Sequence, residues 1–181
     1  VCATRDAIAA HTTLLDRNSD LALVFRGTAV KVSAAIGDWP AVRMHVSALE
    51  LEASLENPGM QKVLSTFQAQ LALQEGRVCE ALAMLRELVA TSAMLDTNSL
   101  DATVRTQLAL AELADGSPAA AWRALEPLIE RVAATGNVGQ VLFMGVQVLT
   151  ELSLASWGNA ASAKGLATLR QWMELARRFK T

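Results

Sequence analysis

Gln70-Leu71-Ala72-Leu73-Gln74-Glu75-Gly76-Arg77-Val78-Cys79-Glu80-Ala81-Leu82-Ala83-Met84-Leu85 reads as the end of one helix, a turn at glycine and the start of a second helix. The same grammar returns along the chain. Gly37, Gly76, Gly116 and Gly158 are 39, 40 and 42 residues apart. A small or β-branched residue stands five places after each: Val42, Ala81, Ala121 and Ala163. Self-similarity at this period marks a stacked helical repeat, in which each unit buries its apolar face only against its neighbours.

Working outward, the spacing of apolar residues is helical. Leu82, Leu85, Leu88 and Val89 form one stripe, Leu125, Leu128, Ile129 and Val132 a second, and Leu166, Leu169, Met173 and Ala176 a third. No run of four residues alternates as a strand does. The reading is a leading helix at about 3–17, then four units at about 20–57, 59–95, 99–135 and 138–180. Asp38 caps the helix that follows Gly37, with Pro40 in its first turn, and Ser117 caps the helix opened by Pro118. Asn18-Ser19-Asp20 and Glu56-Asn57-Pro58-Gly59 read as connections. Pro127 falls inside a helix and is expected to bend it locally. Connections of two to five residues force consecutive helices antiparallel. The fold class is therefore all-α, with about nine helices.

Composition agrees. The 181 residues are 52% hydrophobic, without a tyrosine, and the apolar mass is Ala, Leu and Val. The formal net charge of -2 supplies no basic field for nucleic acid. The uncharged run Val132–Thr150 is long enough for a membrane span. Gly136-Asn137 and Gly139-Gln140 interrupt it, so it reads as a helix end, a turn and a new helix. Cys2 and Cys79 form no CxxC pair and read as free thiols of a cytoplasmic protein. The chain lacks an initiator Met and reads as a piece of a longer protein.

The chemistry of catalysis is missing. The glycines are isolated, so no phosphate loop forms. His11 and His45 are the only histidines, and His45 reads as a lone surface or groove residue. No convergent set of His, Cys and carboxylates marks a metal site. Glu50 and Glu52, two apart on a helix, do not face each other. Neither enzymatic activity nor a cofactor is expected.

The quoted stretch resembles the tetratricopeptide repeat (TPR), in which glycine opens the inter-helix turn and the later alanine lets the two helices approach closely. The resemblance covers about residues 20–179. It departs from the family where Ala72 and Ala111 replace large rings, and its period is longer than the usual one. That longer period resembles the MalT-like sensor region of bacterial LuxR-type transcription regulators and related signalling ATPases and cyclases. The resemblance implies a right-handed superhelix of antiparallel helix hairpins. It also implies that residues thirteen, ten and six before each glycine line a concave groove: Val24, Gly27 and Lys31; Val63, Thr66 and Gln70; Thr103, Thr106 and Leu110; Gly145, Val148 and Leu152. This set is nearly neutral. It lacks the several Lys, Arg and Asn that a buried carboxylate would need, and fits a neutral ligand or an apolar partner segment better.

The implied function is non-covalent. As a sensor or scaffold domain the chain would bind a partner protein, a neighbouring domain or a small effector; as a plain adaptor or spacer it would take no small molecule. Of the four tryptophans, Trp39 is expected to staple helix ends and Trp157 to be partly exposed. Trp122, one turn into its helix, and Trp172, on the last helix, read as core or inter-repeat packing, with an aromatic clamp on a sugar or peptide as the alternative. Trp172, Leu175 and Phe179 widen the apolar stripe of the last helix, and are expected to form a docking surface for an output domain or for a second copy.

Overall fold

A computed structural model describes residues 19–52, 58–91, 98–135, 148–150, 152, 154 and 160–178. Among these the regular structure is all helix. We label the helices α1 (Ser19–Ala35), α2 (Trp39–Glu52), α3 (Pro58–Gln74), α4 (Val78–Thr91), α5 (Asn98–Ala114), α6 (Pro118–Thr135) and α7 (Ala160–Arg178). Residues 148–150, 152 and 154 are helical as well. The leading helix expected at 3–17 and the turn at Gly158 lie outside the described residues, as do Cys2, His11 and Trp157. The chain divides into two compact units, Val1–Glu75 and Gly76–Thr181.

In the first unit α1 and α2 form a hairpin. Its turn is a Schellman closure: Gly37 sits at φ 74, its N–H donates to the Ala34 carbonyl at 3.1 Å, and Asp38 N–H donates to the Ser33 carbonyl at 2.9 Å. Asp38 then caps α2 as expected, its Oδ1 accepting from Ala41 N–H at 3.3 Å. Val30 of α1, Val42, Val46 and Leu49 of α2, and Phe67 and Leu71 of α3 form the core. Trp39, at the first position of α2, packs against it together with Val63 and Leu64 of α3.

In the second unit α5 and α6 form the equivalent hairpin. Gly116, at φ 76, donates to Leu113 O at 3.0 Å, and Ser117 N–H donates to Glu112 O at 2.8 Å. Helix α4 packs on the other side of α5. Ala121 is fully buried five residues past its glycine, as is Ala81 in α4. Their small volumes permit a close helix approach, and their neighbours Leu85, Leu125 and Leu128 are fully buried too. Helix α6 runs unbroken through Pro127.

Two connections differ from expectation. Ser19 and Asp20 belong to α1, and Pro58 and Gly59 open α3 instead of closing the helix before it. Proline is favoured at this first position, where its missing N–H would have had no intrahelical partner.

Candidate binding surface

The groove positions divide by burial. On α1, Lys31 is exposed; on α3, Val63 and Gln70 are half-buried; on α5, Thr103 and Leu110 are half-buried. Thr66, Thr106, Val148 and Leu152 are buried, which corrects their assignment to an open groove. A three-residue step carries Thr66, Thr106 and Val148, the middle members of the last three triads, round the helix toward its neighbours. Leu152, the third member of its triad, is buried as well. The two threonines satisfy themselves there. Thr66 Oγ1 donates to Lys62 O at 2.7 Å, and Thr106 Oγ1 to Ala102 O at 2.6 Å, so burying each hydroxyl leaves no donor unmet. Gly27 is half-buried; the Val24 side chain and Gly145 lie outside the described residues.

The docking surface assigned to the last helix is corrected at its centre. Trp172 is 1% exposed and packs within the chain. Leu166 and Met173, seven residues apart on the same face of α7, are exposed instead. The Leu175 side chain and Phe179 lie outside the described residues. Helix α2 carries a comparable pair, Met44 and Leu51, also seven apart, with Leu51 89% exposed.

Several charged groups are engaged in ion pairs or hydrogen bonds. In the first unit Arg43 Nη2 donates to Glu75 Oε1 at 2.5 Å, and Gln68 Nε2 to Glu50 Oε1 at 2.8 Å. In the second, α5 is clasped from both sides. Buried Glu112 accepts at one oxygen from Arg86 Nε (3.1 Å) and Nη2 (2.9 Å) of α4. Buried Asp101 accepts from Arg105 Nε at 2.8 Å one turn on, and from Arg131 Nη2 of α6 at 2.6 Å. On α7, Lys164 Nζ stands 4.5 Å from the centroid of Trp122 and 3.3 Å from Glu126 Oε1. Arg77 pairs with Glu80 at the start of α4.

Arg77–Glu80 and Arg105–Asp101 are local to one helix, three and four residues apart, while Arg86–Glu112, Arg131–Asp101 and Lys164–Glu126 join one helix to another. Apart from the two arginines that share Asp101, they do not converge on a common point. Among the described residues no group of three or more His, Cys, Asp and Glu could hold a metal ion. No described helix is long and apolar enough to cross a membrane. Cys79 is exposed and unbridged. His45 corrects another expectation: it is buried on the core stripe of α2, not placed at the surface.

Sequence reasoning did not find the Arg86–Glu112 and Arg131–Asp101 contacts, which join residues 26 and 30 apart. The i,i+4 relation of Asp101 to Arg105 was available as a signal.

No family model matches the chain, and no curated protein matches it. Among solved structures it is similar to a crystal structure of nearly identical TPR-like repeats from a Podosopora anserina chain assigned as a kinesin light chain. The TM-score is 0.57 at 20% identity, over 97% of this chain and 84% of the other. The chain thus has a TPR-like repeat fold.

Proposed function

We propose that the chain is a helical-repeat scaffold that binds a protein partner or a neighbouring domain non-covalently. The observation that carries this reading is the recurring helix–glycine–helix unit, which leaves apolar side chains such as Met44 and Leu51 exposed. Repeats of this kind gain function from the surface they present, not from a reactive group. Within that reading we assign the chain to the sensor region of a bacterial cytoplasmic transcription regulator of the MalT-like kind, on its repeat period. There, binding at one repeat would bias the packing of the next.

Site-specific photocrosslinking in the full-length protein tests the scaffold reading. A crosslinker replacing Gln70, Leu110 or Leu51 should trap a discrete protein partner or an adjoining domain. Absence of any crosslink from all three positions overturns it. A thermal-shift screen of metabolites then separates a sensor from a plain adaptor, because an effector that binds only the folded state raises Tm by mass action.

A further inference from the structure

His45 occupies a place where its neighbours are apolar. Val42, His45, Val46 and Leu49 follow one another at helical spacing down the buried face of α2, and His45 as a residue is 6% exposed. Its Nδ1 is buried and has no hydrogen-bonding partner. The facing stripe of α1 runs Arg26, Ala29, Val30 and Ser33, of which the last three are buried. A neutral ring can fill such a space as a core residue does. A protonated one cannot do so without cost: protonation makes Nδ1 a charged N–H donor at a buried position where it has no hydrogen-bonding partner.

We propose that His45 makes the α1–α2 pairing of the first unit acid-labile: the neutral imidazole closes the core stripe, and proton uptake loosens α1 from α2. The surrounding charges act in the same sense on balance. Burial is the largest influence on the ring and holds its pKa below the ordinary 6.5; the Arg26 guanidinium, from α1, lowers it further, and Asp38, from the α1–α2 turn, partly opposes both. Lys31, the other basic residue of α1, is exposed on the helix. Helix α3, packed on the other side of α2, carries Lys62 as its one charged residue, and Lys62 is not among the groups that shift the ring.

The direction follows from linkage. Below the ordinary histidine value of 6.5 the unfolded chain binds a proton that the folded ring resists. Stability is therefore complete above that pH, declines as pH falls from there through the lowered folded value, and levels off below it.

Native-state hydrogen exchange at about pH 7.5, 6.5 and 5.5, which brackets the histidine range, reads this directly, with α5 and α6 as the internal reference. Corrected for intrinsic rates, protection in α1 and α2 should fall several-fold toward the acid end relative to α5 and α6. The fall should vanish in His45→Gln, which cannot titrate, and persist in His11→Gln. Equal losses in wild type and His45→Gln overturn the proposal. Should His45→Gln fail to fold, an NMR titration of the wild-type ring decides: a midpoint below the ordinary histidine range supports the proposal, and one at or above it refutes it.

Discussion

Arg86 Nη2 lies 2.9 Å from Glu112 Oε1, across the contact between α4 and α5, while the second carboxylate oxygen of Glu112 is buried without a hydrogen-bonding partner. The two ends of this pair differ in setting: the Arg86 side chain is 58% exposed and that of Glu112 only 7%. Solvent screens the guanidinium, so the attraction itself contributes modestly. The carboxylate, once buried, depends on its one donor.

Arg86→Ala should therefore destabilise the protein by about 1–3 kcal/mol, chiefly by leaving Glu112 charged and unmet. Adding Glu112→Leu to it should recover most of that loss. Urea unfolding of the two single variants and the double variant checks this. If the double variant loses the sum of the singles, the pair is not coupled.

The turns make a sharper test because space and conformation can be separated. A Cβ built on Gly116 meets nothing within 4 Å, yet its φ is 76. The requirement is conformational alone. Gly116→Ala should cost about 1–2 kcal/mol, while Gly116→Asn, whose side chain tolerates the left-handed region, should cost less. Thermal unfolding of the two variants gives the order; equal losses would mean the turn rearranges.

This is also why the turns were legible in the sequence while much of the candidate surface was not. A left-handed residue at a helix C-terminus restricts the choice to glycine locally, so Gly37, Gly76 and Gly116 announce themselves at a fixed interval. The small residues Ala81 and Ala121 follow for a similar local reason. Burial of Thr66, Thr106 and Trp172 depends instead on how far each helix is rotated against its neighbour, and on whether a polar atom can satisfy itself on the way in. A threonine back-bonded to its own helix is indistinguishable by letter from one offered to a ligand. His45 reads as polar by type, yet its position between Val42 and Val46 on the stripe places it inside. The Asp101–Arg131 contact needs the relative height of α5 and α6, which a turn glycine alone does not set.

Ala121 tests the closeness of that hairpin. It is fully buried in α6, where α5 and α6 pack. Ala121→Leu should overpack the contact and cost about 1–3 kcal/mol, and Ala81→Leu in α4 should behave alike. Neutral midpoints in urea for both would show that the buried alanines are not what sets helix separation. Ala83→Leu, at an exposed position of α4, serves as the control and should stay within about 0.5 kcal/mol.

The last helix separates a core role from a surface role on one element. Trp172 is fully buried, while Leu166 and Met173 on the same helix are exposed. Trp172→Ala should lose about 3–5 kcal/mol, the range for emptying a buried aromatic site. Leu166→Ser and Met173→Ser remove apolar surface that already faces water, so each should change stability by no more than about 0.5 kcal/mol. Urea unfolding gives these values, and sedimentation velocity on the same samples shows whether the exposed pair serves self-association. A monomer–dimer equilibrium weakened by Leu166→Ser and Met173→Ser would assign the α7 face to a second copy. If association is lost only in Trp172→Ala, the loss tracks unfolding of α7 and not a docking contact. If Trp172→Ala leaves stability unchanged, Trp172 does not anchor α7 in the core.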